Sequence, residues 1–433
     1  MGWTGLCWRG WVKWVRGAWI LWVLWSAVPL EAQVRIEIPQ PGGAGVPIAI
    51  APLSNPAAHA DREIGQIFAD VIARDLELSG LFRVLDRRAY IEGPDGFVLE
   101  QINFRNWSVL DASALAKGGF WIEGERLIIE ARLFDVTQRK QLGGKRYQGV
   151  RADVRRMAHR FADQIMLFLT GEEGPFNSQI AFVSNRADGR AKEVYRMDVS
   201  GTEVRRVTRD RTLSLGPSWS PTGEELLFIS YKRGGPYPYR LNLASGRASR
   251  VYAKVGYGAS WSPDGKLVAV SVEQGGNADL FLITPRGKLI RRLTNHAGID
   301  ISPAWSPDGR RLAFCSDRSG SPQIYVMDVE TGRSRRLTFR GRYNTDPAWS
   351  PKGDRIAYTA RSGGFRIMSI EPAGGEATEV GRGEHPSWSP DGRYLAVTRR
   401  GRIYMLSRDG RSIKQLTGGR GNDTSPAWSP RLP

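Results

Sequence analysis

The stretch Pro303-Ala304-Trp305-Ser306-Pro307-Asp308-Gly309 recurs along the second half of the chain. It returns as PSWSPTG from Pro217, ASWSPDG from Ala259, PAWSPKG from Pro347, PSWSPDG from Pro386 and PAWSP from Pro426. Its tryptophans, Trp219, Trp261, Trp305, Trp349, Trp388 and Trp428, lie 42, 44, 44, 39 and 40 residues apart. A period of this size marks a repeat architecture, in which each copy is one supersecondary unit that stacks on its neighbours.

Between copies the order of runs is constant. Apolar runs begin at Ile180, Leu226, Leu267, Leu312, Ile356 and Leu395, and each reads as a buried strand. A polar loop follows, then a second strand such as QIYVMDV, then a turn carrying Gly201, Gly246, Gly287, Gly332 or Gly410. A third strand such as SRRLT comes next, and a loop of variable length leads to the next tryptophan strand and its Pro-Asp-Gly turn. Four strands make one antiparallel sheet that cannot bury both faces alone, whereas six such sheets packed radially can. The first unit begins at Ile180 without a tryptophan strand, and the last copy has no strand after it. The C-terminal strand is therefore expected to complete the first blade.

The predicted fold class is multi-domain: a small N-terminal α/β domain (33–172) followed by an all-β six-bladed β-propeller (173–433), its C-terminal strand closing the first blade. Within the first domain PIAIAPL (47–53) and LFRVLD (81–86) read as strands. A helix capped by Asp61 places Ile64, Ile67, Phe68, Val71, Ile72 and Leu76 on one face and stops at Gly80. Two strands turn near Gly124, KRYQGV supplies a third, and a second helix presents Val154, Met157, Ala158, Phe161, Ile165 and Phe168 before Gly171. Residues 33–38, QVRIEI, alternate polar and apolar as a strand does. Before them, Arg9, Lys13 and Arg16 lead an apolar run over 17–29 and a small residue, Ala32, the layout of a cleaved secretory signal over 1–32.

The formal charge is +18, a balance that raises nucleic acid as a partner. The basic residues Arg205, Arg206, Arg291, Arg292, Arg335, Arg336 and Lys414 fall instead in the last strand of each repeat, the outer edge of a blade, where long charged side chains oppose edge-to-edge pairing. With no basic stripe interleaved with aromatics, a nucleic-acid role is set aside. Cys7 leaves with the signal, so Cys315, in the apolar run LAFCS, reads as a buried inert thiol. There is no G-x-S-x-G, no H-E-x-x-H, no paired cysteine and no phosphate loop, so no enzyme, metal or cofactor is expected. His59, His159, His296 and His385 are scattered and read as surface or capping residues. Asp264, Asp308 and Asp391 supply one carboxylate per turn, which the turn itself explains.

A propeller without chemistry binds, and strand direction says where. The loops before each tryptophan strand and those between the second and third strands open on one face, around the funnel. The expected partner-binding residues there are Ser214, Tyr257, Gly258, Asp300, Ile301, Ser302, Asn344, Thr345, Asp346, Glu384, His385, Asp423 and Thr424. Their carboxylates and amides, with Asn422, suggest an acidic-and-amide mouth, to be tested by joint replacement of Asp300, Asp346 and Asp423.

Signal peptide, α/β domain and six repeats ending on PAWSP together resemble the TolB family, periplasmic propellers of the Tol-Pal system, over essentially the whole chain. The resemblance implies a monomeric, non-enzymatic periplasmic scaffold, peripheral to the membrane through its partners. It implies binding of the lipoprotein Pal at the funnel mouth. It also implies contact with TolA through the N-terminal strand Gln33, Val34, Arg35, Ile36, Glu37 and Ile38, by adding that strand to a partner sheet. The competing reading is an exported propeller that binds or hydrolyses a peptide or polysaccharide.

Overall fold

The computed structural model describes residues 45–55 and 62–433. The expected signal, the strand at 33–38, His59 and the Asp61 cap lie outside the described residues. Among those described, no helix is long and apolar enough to cross a membrane.

The first domain is a five-stranded sheet in the order β2-β1-β3-β4-β5. β1 (Val46–Ile50) pairs in parallel with β2 (Phe82–Val84) and β3 (Ala114–Glu123). β3, β4 (Arg126–Asp135) and β5 (Lys140–Val150) form an antiparallel meander. Helix α1 (Arg62–Ser79) and, later in the chain, α3 (Val154–Thr170) put their apolar stripes on one face of this sheet, where Phe68 and Phe161 stack at 6.1 Å. The short α2 (Phe104–Ser108), which no periodicity announced, closes the other face with Phe104 and Trp107. Gly171 ends α3 in the left-handed conformation at φ 78°, as the sequence signal required.

Six four-stranded sheets follow. Blade 1 combines Asp423–Trp428 with Gln179–Ser184, Glu193–Asp198 and Arg205–Arg206, in that order from the axis outward. The last strand of the chain therefore closes the first blade, with Asp423 opposite Ser184 and Trp428 opposite Ile180. Blades 2 to 6 have innermost strands Ser214–Trp219, Gly256–Trp261, Asp300–Trp305, Asn344–Trp349 and Glu384–Trp388.

The repeat motif is a set of joints between blades. All six tryptophans are buried, and three of their indole N–H groups reach across to the neighbouring blade: Trp219 Nε1 donates to the Ala427 carbonyl at 2.9 Å, Trp305 to Ser260 at 3.2 Å and Trp388 to Ala348 at 3.0 Å. Each acceptor immediately precedes the tryptophan of the neighbouring blade. The turn carboxylate is consumed locally, since Ser262 Oγ donates to Asp264 at 2.6 Å and Ser389 Oγ to Asp391 at 2.5 Å. Cys315 is buried, donates its thiol to the Asn344 carbonyl of the next blade at 3.6 Å, and burial pushes it up to about 12, so it stays a neutral thiol.

The outer-strand arginines are only half what edge protection required. The second of each pair folds inward: the Arg206, Arg292 and Arg336 Nε groups donate to the carbonyls of Thr208, Thr294 and Thr338 at 2.8, 2.8 and 2.6 Å. Arg206 also pairs with the fully buried Glu193 at 2.9 Å, and Arg292 with Asp279 at 2.6 Å. These guanidiniums tie the third strand to the fourth rather than guard an edge.

The two domains share one hydrophobic core, running from Ile48 and Phe161 to Phe182, Tyr394 and Trp428 of blades 1 and 6. At its centre sits His159, which the sequence reading placed on the surface. Its Nδ1 lies 2.6 Å from Asp75 of α1 and its Nε2 3.5 Å from Asp198 of blade 1. Burial opposes the charged ring, but the two carboxylates prevail and raise His159 to about 10. Arg155 reaches the same Asp198 at 3.1 Å.

Candidate functional site

Every innermost strand carries a register shift within the five residues before its tryptophan. At these bulges Gly216, Ser302, Asp346, His385 and Ser425 stand at φ 55°, 54°, 50°, 54° and 51°. Each immediately precedes a proline. The exception, Gly258, is followed by Ala259 and is not left-handed. Four of the five are not glycine, and holding a non-glycine residue there costs about 1–2 kcal/mol each. Bulges re-aim side chains, and strain of this kind persists where the surrounding structure imposes it. The result is a ring of re-aimed side chains at one mouth of the propeller.

Below the ring runs a channel of about 420 Å³ lined by the prolines of the repeat and the Ala or Ser that follows each. It holds no ionisable side chain. Among the described residues no group of three or more His, Cys, Asp or Glu could hold a metal.

The structure sorts the expected mouth residues into two sets. In blades 1, 2, 4 and 5 the first residue of the inner strand turns into its blade. Asp300 and Asp423 are fully buried and pair with Arg318 and Arg186, both at 2.7 Å. Asp423 also accepts from Ser184 Oγ at 2.6 Å, and both arginines lie over a Phe–Tyr stack, Arg318 at 5.3 Å from Phe314 and Arg186 at 5.1 Å from Phe182. Asn344 is buried with its amide on Gln323 at 2.9 Å, and Ser214 and Thr345 are buried too. The expected acidic-and-amide mouth is thus corrected: Asp300, Asn344 and Asp423 are corner pieces of blades, because strand alternation sends the first residue of these three inner strands inward. Joint replacement of Asp300, Asp346 and Asp423 would break two blades rather than test a surface.

The second set faces outward. Tyr257 is 48% exposed, with its hydroxyl donating to Glu273 at 2.7 Å. Gly258, Ile301, Ser302, Asp346, Glu384, His385 and Thr424 are partly exposed. Asp346 and His385 face each other with Oδ2 and Nε2 4.0 Å apart, and Thr345 Oγ1 donates to Asp346 at 2.9 Å. The backbone N–H groups of His385 and Ser425 are held by hydroxyls of the preceding blade, Thr359 and Thr398, at 2.9 and 3.0 Å. Ser425 belongs to the ring and was missed. Its signal was available, since it stands three residues before Trp428 as Ser302 stands before Trp305.

The architecture is thus a six-bladed propeller with an α/β domain docked on blades 1 and 6 and a ring of bulges at one mouth. The chain belongs to the TolB family: residues 167–432 match the TolB beta propeller domain and residues 34–142 the TolB amino-terminal domain. It is 44% identical to the Tol-Pal system protein TolB of Syntrophotalea carbinolica over 207 residues, 47% of this chain and 46% of that one. It is 39% identical to that of Desulfosudis oleivorans over 259 residues, 58% of each. The chain spans about half the length of the curated relatives it matches. Its fold superposes on the crystal structure of TolB from Acinetobacter baumannii with a TM-score of 0.78 at 26% identity, covering 90% of this chain and 98% of that one.

Proposed function

We propose that the chain is a non-enzymatic periplasmic scaffold of the Tol-Pal system. It binds the lipoprotein Pal at the propeller mouth and TolA through residues 33–38, and so supports outer-membrane integrity and envelope constriction at cell division. The observation that carries the reading is the ring of bulges, which commits four of six inner strands to a strained non-glycine residue at one mouth. Strain with no structural return beyond aiming side chains is the signature of recognition. The channel beneath offers proline, alanine, serine and tryptophan, with no base to activate a serine for the hydrolytic alternative.

Titration of the mature chain with the soluble domain of the cognate Pal tests the reading. Replacement of Asp346 and His385 together by alanine is expected to weaken binding at least tenfold, about 1.4 kcal/mol, while leaving TolA binding intact. Deletion of 33–38 is expected to do the reverse. Wild-type chain that binds neither protein would overturn the proposal.

A further inference from the structure

The mouth is not sixfold. The turns between second and third strands are long in blades 1, 2 and 4, at 185–192, 231–236 and 317–322, and short in blade 3, at 275–276, and in the adjacent blades 5 and 6, at 362–364 and 400–401. A single residue, Gly383, links the outer strand of blade 5 (Thr378–Arg382) to the inner strand of blade 6. The funnel wall therefore dips between these blades, and a cleft of about 320 Å³ opens sideways there. Gly363 and Gly364 form part of its edge with open space above them, so an incoming chain can lie against backbone.

The side chains of this cleft are charged in one sense. Arg382, Arg399 and Arg400 line it, and none of them enters a salt bridge among the described residues. Arg366 lines it too but is neutralised by Glu379 at 2.5 Å. One carboxylate, Glu384, opposes these three guanidiniums, of which Arg399 also lies 5.6 Å over the Tyr404 ring. Two other arginines of this face, Arg186 and Arg318, are by contrast committed to buried aspartates. Beside the cleft, Phe365 is 39% exposed and contacts the 37% exposed Tyr343 at 6.4 Å between ring centroids, with the Arg361 guanidinium 5.8 Å over Phe365.

Resting on the scaffold reading above, we infer that the partner seats an acidic segment in the cleft between blades 5 and 6, off the propeller axis. Its carboxylates meet Arg382, Arg399 and Arg400 and an apolar side chain packs on Phe365 and Tyr343. Arginine beside exposed aromatic rings is the composition of a protein interface core, and guanidiniums pair bidentately with carboxylates. A compact phosphate dianion fits less well, because Glu384 stands in the same cleft and the aromatic rings have no counterpart in it.

The test compares two variants of equal charge in the full mature chain. One carries Arg382→Glu, Arg399→Glu and Arg400→Glu. The other carries Arg247→Glu, Arg286→Glu and Arg333→Glu, exposed residues in the turns of the opposite face. A glutamine series at the three cleft positions guards against effects of charge reversal on folding. The probes are the soluble cognate Pal domain, an oligoglutamate peptide and inorganic phosphate. The cleft variant is expected to lose about tenfold or more in affinity for both protein probes, with a flatter salt dependence, while the opposite-face variant stays within about twofold. Equal losses in the two variants, or phosphate displacing the peptide as readily as the Pal domain does, would overturn the inference. If wild-type chain ignores Pal while the peptide still distinguishes the variants, the choice of Pal falls and the acidic cleft stands. If Pal binds both variants equally, the cleft falls and the scaffold reading stands.

Discussion

Replacing His159 by alanine strikes the joint between the domains. The imidazolium is the group that compensates Asp75, which is fully buried with Oδ1 unpaired, and it shares Asp198 with Arg155. Removing one partner of a buried ion pair costs about 3–5 kcal/mol. Arg155 remains for Asp198, so a loss near the lower end, about 3 kcal/mol, is expected. Because the cluster bridges α1, α3 and blade 1, the loss should appear first as separation of the domains, raising the open population about a hundredfold. Urea unfolding followed separately in each domain, with proteolysis of the link at 171–178, reads it. The charge also sets a pH signature. With its native value raised to about 10 from an unfolded value of about 6.5, His159 contributes fully below the unfolded value and loses its contribution as pH rises through the native one. The gap between wild type and His159→Ala should narrow accordingly towards alkaline pH. Replacing Asp75 by Asn together with His159 by Gln should recover much of the loss. A His159→Ala protein within about 0.5 kcal/mol of wild type at neutral pH, inside the range of ordinary surface changes, would refute the reasoning.

Burial raises Asp163 to about 7, against the amides of Phe176 and Asn177 that hold its carboxylate. A raised native value means its stabilising effect is present below the unfolded value and lost as pH climbs to about 7, so Asp163→Asn should flatten unfolding free energy against pH across that window. Arg318→Ala should cost about 3 kcal/mol by stranding Asp300, whereas Ser302→Gly, which relieves a φ of 54°, should raise stability by roughly 0.5–1 kcal/mol; thermal unfolding separates scaffold from mouth. Gly287→Ala puts a Cβ 1.9 Å from the Val251 carbonyl of the preceding blade, while a Cβ on Gly332 meets nothing within 4 Å. The former should destabilise by more than about 3 kcal/mol and the latter by only about 1 kcal/mol of backbone strain, a contrast that calorimetry can resolve.

The propeller was legible because the repeat prints itself six times: Trp305 and its counterparts, the glycine turns and the missing first strand each have one geometric solution. The mouth was legible only as a face. Whether a residue at the start of an inner strand points into the blade or out of it depends on the bulge two residues later, and a bulge leaves no periodicity. Asp300 and Asp346 look alike in sequence; the first is buried against Arg318 and the second stands in the ring. The domain joint was illegible for a different reason. His159 meets Asp75 and Asp198 only after two domains have folded and docked, and nothing local to residue 159 hints at either partner.

Closing blade 1 with Asp423–Trp428 has a kinetic side. Until that strand arrives, Gln179–Ser184 presents an open edge, and its partner lies 239 residues further along the chain at the Ser184–Asp423 contact. Long-range pairing of this kind is slow and leaves strands able to pair wrongly. The α/β domain docks on blades 1 and 6, and Trp428 belongs to the core they share. The core between the domains and the ring at the mouth are therefore both incomplete until the last strand is in place: a chain stalled before residue 423 would lack Trp428 in the one and Ser425 in the other.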